Sequence, residues 1–349
     1  MHCLMELIGS FRSSLAHSFA NLAPTLFILV ILGTQTSCER QHSSESAATK
    51  VVTAAAINAY SGPFYIAAEK GFWKAEGLDV TEKYFASGRM CLDALLAGSA
   101  DIITVAETPI VFAGFSGQNV VVVSTISSAK NDIKVIARKD HGINKPEDLR
   151  GKKVAMLFGA TSEYFAGLFL NAYGISFKDI NRVNLNPSDM PVALIKGDID
   201  AYVIWEPFVY NAYQKLGDEK AIRFMRGDLY TLPFNMAVRK DFAERNPDTV
   251  ERALRAVIKA NEFINKHPDD AISIVSKRIG TDERVVKAIW SDYEFNVELS
   301  PLLLDALQRE AKWAKEAGIA PATVAIPDYK VFIDARHLKK VAPSKVSME

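Results

Sequence analysis

The residues able to do chemistry gather where an apolar run ends and a helical pattern begins. Val154 to Phe165 reads VAMLFGATSEYF, with Gly159-Ala160 after the apolar run and Thr161-Ser162 before a stretch, Tyr164 to Tyr173, that Gly174 closes. The pattern predicts a buried strand, a tight turn, and a helix with hydroxyl caps at its start and glycine past its end. Such a turn exposes the first N–H groups of the helix, which suits an anion or the polar head of a ligand. Similar junctions hold Ser61 with Phe64 and Tyr65, then Arg89, then Glu107 with Thr108, and finally Trp205 with Glu206. Tyr164 and Asn235 complete the candidate ligand-binding set. Arg89 and the helix starts favour an anionic head. Glu107 and Glu206 favour a cationic or hydrogen-donating group. A large aromatic at a strand end, as at Trp205, makes a pocket wall. Each residue also has a plain structural use: Phe64, Tyr65 and Phe165 as core, Arg89 as a solvated helix start, Glu206 as a charge that favours a helix dipole.

Catalytic arrangements are not visible. The six histidines, at 2, 17, 42, 141, 267 and 337, avoid the strand-to-helix turns. There is no G-x-S-x-G elbow, Walker loop, H-E-x-x-H, or G-x-G-x-x-G after the first strand. No Cys/His spacing suggests zinc. The expectation is a binding protein, not an enzyme, with no cofactor and no metal.

These turns must be positioned by alternating strands and helices. Strands are expected at Lys50–Ile57, Gly77–Phe85, Ile102–Val105 and Val120–Ile126, with helices between them. Their continuous apolar character predicts a parallel sheet covered on both faces. The pattern then recurs. Ala94-Leu95-Leu96-Ala97-Gly98-Ser99-Ala100-Asp101 resembles Ala193-Leu194-Ile195-Lys196-Gly197-Asp198-Ile199-Asp200, an offset of 99 that Glu107 and Glu206 share. Ser61-Gly62-Pro63 takes the place of Gly159-Ala160-Thr161. Val135 to Asp140 resembles Met236 to Asp241, and these segments are expected to be two crossings between similar lobes. After them come helices opened by Asn246-Pro247-Asp248, Pro268-Asp269-Asp270 and Ser300-Pro301, expected to pack on the first lobe.

The chain has 349 residues, no net charge, and 49% hydrophobic content. With no basic block on a helical face, nucleic acid is not an expected partner. Arg12, the apolar run Leu26–Leu32 and the small polar residues to Ser37 read as a secretory signal peptide over 1–37. Cys38 is then the lipidation candidate, although Gln35 stands where a lipoprotein box has Leu. Residues 38–50 read as a flexible tether. The remaining partition is lobe 1 over 51–136 and 237–349, and lobe 2 over 137–236. Cys91 is expected to be a small buried apolar residue.

Several stretches together resemble the substrate-binding proteins of ABC importers for nitrate, sulfonates and taurine, which share a fold with thiamine-pyrimidine synthases. They are Gly71-Phe72 with Gly77-Leu78-Asp79-Val80, then Ala94 to Ile102, Pro146 to Val154, Gly197 to Ala201, Trp205-Glu206-Pro207, and Val238 to Phe242. The resemblance implies an α/β periplasmic-binding-protein type II fold, two lobes joined by two crossings with the ligand cleft between them. It implies that the turns at Ser61, Glu107, Gly159 to Ser162 and Trp205 line the site. Its implied partners are a small-molecule ligand and a membrane ABC permease, for an exported monomer at the outer face of the cytoplasmic membrane or in the periplasm. The cysteine-rich motif of the yeast-type pyrimidine synthases is missing. A sulfonate or taurine-like anion suits the residues best. A pyrimidine or other planar ring on Trp205 is the alternative, and a receptor-docked sensor would look the same.

Overall fold

A computed structural model describes residues 48–348. The signal peptide, Cys38 and nearly all of the tether lie outside these residues, as does Cys3. Thr49 and Lys50, counted with the tether, already belong to the first strand.

The first half of the chain alternates strand and helix as its apolar runs dictate. Strand β1 is Thr49–Ala56, followed by α1 (Gly62–Glu69) and α2 (Phe72–Ala75). Then come β2 (Leu78–Phe85), α3 (Gly88–Leu96), β3 (Ile102–Ala106), α4 (Glu107–Phe115) and β4 (Val121–Ala129). Strand β3, all five residues apolar or threonine, is buried throughout, as a strand covered on both faces should be. The second lobe runs β5 (Ile133–Arg138), β6 (Lys153–Met156), α5 (Thr161–Ala172), β7 (Asn181–Asn184), α6 (Met190–Lys196), β8 (Ala201–Trp205), α7 (Phe208–Lys220) and β9 (Ala221–Phe224). The chain returns through β10 (Leu232–Val238) to the helices α8 (Lys240–Arg245), α9 (Pro247–Lys266), α10 (Pro268–Ile279) and α11 (Glu283–Ile289). The short β11 (Tyr293–Glu294), α12 (Pro301–Glu316) and α13 (Arg336–Val341) close it.

Two sheets result, ordered β2-β1-β3-β10-β4-β11 and β7-β6-β8-β5-β9. Each has a parallel trio, β2-β1-β3 or β7-β6-β8, followed by an antiparallel strand. The sheets are therefore mixed, not parallel as the apolar runs suggested. The physical reason is that continuous burial marks a strand as central but carries no direction.

The segments expected to be crossings, Val135–Asp140 and Met236–Asp241, are instead largely strand. Ile133–Arg138 and Leu232–Val238 are buried along their whole length. A buried backbone has to pair, and these strands pair on both sides. The chain passes between the sheets just before each of them, at 130–132 and 225–231. Their likeness is real and has a structural meaning: they are equivalent strands. Ile133 lies opposite Trp205 in the second sheet, as Phe234 lies opposite Ala106 in the first.

Helices α9 and α10 pack on α1, α13 packs on α9, and α12 packs on α4, so the C-terminal part covers lobe 1. It also reaches lobe 2, where Asp292 pairs with Lys134 at 3.5 Å. Trp313 of α12 packs edge-on against Tyr164 of α5, ring centroids 5.0 Å apart. Gly167 makes room for it, since a Cβ there would stand 2.6 Å from the indole. Cys91 is fully buried. Among the described residues no helix is long and apolar enough to cross a membrane, and no group of three or more potential ligands could hold a metal ion.

Candidate functional site

A narrow cleft, with room inside it for about one water molecule, lies between the lobes. Lobe 1 lines it with Asn58 and Tyr60 after β1, Ser87-Gly88-Arg89 at the start of α3, Ala106 and Pro109 around the start of α4, and Leu232 and Phe234 of β10. Lobe 2 contributes Ala160 and Thr161 at the start of α5 and Trp205 at the end of β8. The carboxyl ends of β1, β2, β3, β6 and β8 thus all meet here, the place where open α/β sheets take ligands.

Helix starts from both lobes face this space. Ser87 caps α3 by accepting from the Met90 N–H at 3.3 Å. Gly88 brings the helix onto β3: a Cβ there would lie 3.0 Å from Val105 Cα. The N-cap of α5 is Ala160, and that of α4 is Ala106; neither offers a side-chain cap. The first N–H groups of α4 and α5 thus have no side-chain acceptor from their own caps. Arg89 carries the one formal charge among the lining residues, so the local field favours an anion.

Arg89 also ties the lobes together. Its Nη1 donates to the Phe158 carbonyl at 3.0 Å. This approach needs Gly159, whose φ is +68°; a Cβ there would stand 1.8 Å from Arg89 Nη1. The Gly159 N–H is not free for a ligand. It donates to Glu163 Oε2 at 2.8 Å, and Glu163 is paired with Arg182 at 3.1 Å.

The rest of the wall is aromatic. Tyr60 stacks on Phe234 with centroids 5.0 Å apart, and meets Tyr293 edge-on at 4.9 Å. Trp205 Nε1 and Tyr60 Oη are buried polar atoms without a hydrogen-bond partner. Burial, then the nearby Asp132 carboxylate, holds the Tyr60 hydroxyl well above its ordinary pKa. The Tyr60 hydroxyl is set against that carboxylate, whereas Trp205 Nε1 is a donor that a ligand could satisfy.

Of the residues singled out from sequence, Arg89, Thr161 and Trp205 line the cleft, and Gly159 supports Arg89. The others are held elsewhere. Ser61 lies beneath the first turn, bonded to Asn58 Oδ1 at 3.2 Å and Thr104 Oγ1 at 2.9 Å. Phe64 packs edge-on against Trp73 in the lobe 1 core, and the Tyr65 hydroxyl donates to the Ala56 carbonyl. Ser162 Oγ turns back to Leu157 and does not cap α5. Tyr164 packs between Tyr230 and Trp313. Asn235 is fully buried, accepting from Thr125 Oγ1 at 2.8 Å and donating to the Pro233 carbonyl at 3.1 Å.

The two glutamates diverge. Glu206 forms a buried ion pair with Lys134 at 3.1 Å and accepts from the Tyr210 N–H at 2.7 Å. Glu107 is buried carboxyl to carboxyl with Glu310 of α12. Burial, then the neighbouring Glu310 carboxylate, raises the Glu107 pKa; burial pushes Glu310 up to about 7. Thr108 is buried in the same place, its hydroxyl beside the Glu310 carboxyl.

Sequence reasoning missed Asn58, Tyr60, Ser87, Pro109, Leu232 and Phe234. The rule that ligands sit beyond strand ends applies to the first three. Phe234 could have been found by extending the matched segments two residues upstream, where it falls level with Ile133 opposite Trp205.

Chain comparisons agree with this geometry. The chain is 28% identical over 285 residues to the taurine-binding periplasmic protein of Escherichia coli K12, covering 78% of this chain and 88% of that protein. It is 27% identical over 283 residues to a putative aliphatic sulfonates-binding protein of Bacillus subtilis, covering 80% and 84%. Among solved structures, the alkanesulfonate-binding protein SsuA from Xanthomonas axonopodis pv. citri, bound to MOPS, superposes with a TM-score of 0.71 at 18% identity, covering 82% of this chain and 98% of that one. The periplasmic nitrate-binding protein NrtA from Synechocystis PCC 6803 gives 0.69 at 17%, covering 85% and 89%. The fold is that of periplasmic binding proteins. Residues 58–271 match the family described as NMT1/THI5 like, and the chain belongs to that family.

Proposed function

We propose that this protein is the extracytoplasmic solute-binding component of an ABC importer, capturing a small organic sulfonate by closure of its lobes and delivering it to a membrane permease. The observation that carries this reading is the cleft itself. Arg89 and helix starts from both lobes supply donors for an anionic head, and Tyr60, Phe234 and Trp205 supply a wall for an organic body. Bare nitrate would leave that aromatic surface unused. The sulfonate- and taurine-binding relatives support the same ligand class.

Energetics require both lobes. Micromolar binding needs about 8 kcal/mol. One helix start supplies about 0.3 to 1 kcal/mol, rising to about 2 when partly buried. A hydrogen bond to a charged group adds about 1.5 to 3 kcal/mol. Neither lobe reaches the total by itself, so ligand favours the state in which the lobes meet. The Arg89 bond to the Phe158 carbonyl belongs to that state. Among the sequence-derived candidates, Arg89, Thr161 and Trp205 are proposed as ligand contacts.

A thermal-shift screen of the chain from residue 48, against alkanesulfonates, aminosulfonates, nitrate and pyrimidines, tests the reading. Ligand at about 100 times its Kd adds about 2.7 kcal/mol to stability. A shift with sulfonates is expected. A shift with a pyrimidine and none with any sulfonate would replace this reading with stacking of a planar ring on Trp205, whose unpartnered Nε1 could bond such a ring.

A further inference from the structure

Beside the cleft, α4 and α12 meet through two carboxyls. Glu107 opens α4 and is fully buried; Glu310 of α12 is 1% exposed. Around them stand the Thr108 hydroxyl, Tyr164 of α5, Tyr230 of the second crossing and Tyr329 ahead of α13. The cation acting on the pair is Arg309, which is exposed and turns back to the Asp305 carbonyl at 3.3 Å. Among the described residues, no buried cation pairs with them as Lys134 pairs with Glu206. The two carboxyls also lie on the join between the lobes. Glu310 Oε1 accepts from the Tyr230 hydroxyl at 3.5 Å, and Tyr230 packs edge-on against Tyr164 with centroids 5.3 Å apart. Trp313, one turn beyond Glu310 on the same face of α12, rests on the same Tyr164. Ala106 and Pro109, on either side of Glu107, line the cleft.

Separation of the lobes would draw Tyr164 away from α12 and let water reach the pair. Two adjacent carboxylates in a dry site repel each other and lack hydration, whereas one shared proton turns the contact into a hydrogen bond. We propose that the pair is a proton-operated latch between the lobes: protonated, it keeps α12 on α4 and the lobes closed; ionised, it favours the open, hydrated state. This rests on capture by lobe closure, as read above, and is independent of which solute is captured. Burial brings Glu310 from 4.5 to about 7, and burial together with the neighbouring carboxyl raises Glu107. The closed state thus binds the proton more tightly than the open one. Its advantage is present at acidic pH and fades as pH rises through about 7.

The test uses the chain from residue 48 and its double variant Glu107→Gln/Glu310→Gln, which keeps the shape and loses the titration. Small-angle scattering without ligand should give a larger radius of gyration at about pH 8 than at about pH 6 for the wild type, and equal values for the variant. The Kd of propane-1-sulfonate, an anion throughout this range, should weaken about tenfold or more between the same limits, since one fully linked proton is worth about tenfold per pH unit. In the variant it should stay within about twofold. A change in either quantity that the variant abolishes bears the latch out. Both quantities flat in the wild type, or a change that the variant keeps, overturns it. Glu107→Gln alone serves if the double variant does not fold. If propane-1-sulfonate binds at no pH, the ligand reading fails by itself and scattering decides on the latch.

Discussion

In lobe 1, β3 ends on Ala106 beside Phe234 of β10. In lobe 2, β8 ends on Trp205 beside Ile133 of β5. The frame is the same, and the aromatic has moved from one strand to its neighbour. One residue further the difference decides a charge. Lys134 of lobe 2 corresponds to Asn235 of lobe 1. Glu206 therefore has a buried cation to pair with, at 3.1 Å. Glu107, equivalent to it in the strand-to-helix turn, has none, and lies against Glu310. A duplicated fold can thus give one glutamate two electrostatic fates through a single substitution on the adjacent strand.

The largest test of this contrast is Glu206→Gln. It strands Lys134, 5% exposed, beside only the more distant Asp292. Breaking a buried pair by removing one partner costs about 3 to 5 kcal/mol. Urea unfolding at neutral pH should show that loss; a change under about 1 kcal/mol would mean that the pair is not what holds this part of lobe 2.

Arg89→Ala comes next, because it removes the cleft's formal charge and the bond between lobes. Losing one hydrogen bond to a charged group, about 1.5 to 3 kcal/mol, corresponds to about a 10- to 150-fold weaker Kd for the sulfonate that binds. Unchanged affinity would place Arg89 outside the ligand's reach.

The matched turns give a smaller, paired prediction. Gly159→Ala puts a Cβ into Arg89 at a φ of +68°, where an L side chain costs about 1 to 2 kcal/mol. It should lower both stability and affinity. In the matched turn of lobe 1, Gly62, which stands where lobe 2 has Ala160, has a helical φ of −43°, and a Cβ there meets Phe295 at 3.3 Å. Gly62→Ala is expected to leave ligand affinity unchanged. Equal loss of affinity in both variants would contradict the assignment of Gly159 to the Arg89 approach.

The smallest effect is a pH slope. Burial raises Glu107 and brings Glu310 from 4.5 to about 7. A carboxyl whose folded pKa is raised binds its proton more tightly in the folded state. The wild-type protein should therefore lose stability as pH rises from about 4.5 to about 7 on account of this pair. Glu107→Gln should flatten that part of the curve and give the higher Tm at pH 8. A variant that is less stable at pH 8, with the slope intact, would show that another group sets the pH dependence.

Much of this frame was legible in the chain. Gly98 and Gly197, and the paired glutamates, mark equivalent positions because a recurring βα unit needs its turn residues at recurring places. The cleft lining was legible where a residue's type and its strand-end position agreed, as at Arg89, Thr161 and Trp205. It was not legible where the partner is remote in sequence. Nothing near Glu107 reveals Glu310, about 200 residues away, and nothing near Glu206 reveals Lys134 on the adjacent strand. Ser61, Tyr65 and Ser162 looked free because hydroxyls at turns are often exposed. Here Thr104 of β3, the Ala56 carbonyl of β1 and the Leu157 backbone consume them. Strand direction also escaped, since β5 and β10 are as apolar as their parallel neighbours.

Trp313 gives the molecule a built-in optical signal. Its indole rests against Tyr164 and Phe177 of lobe 2 although α12 packs on lobe 1, whereas Trp73 and Trp290 have their aromatic neighbours within lobe 1. Separation of the lobes would expose Trp313 to water and shift its emission to the red while those two stay constant. Ligand capture could then be timed by stopped-flow fluorescence on unlabelled protein, with Trp313→Phe leaving only the change at Trp205 in the cleft wall.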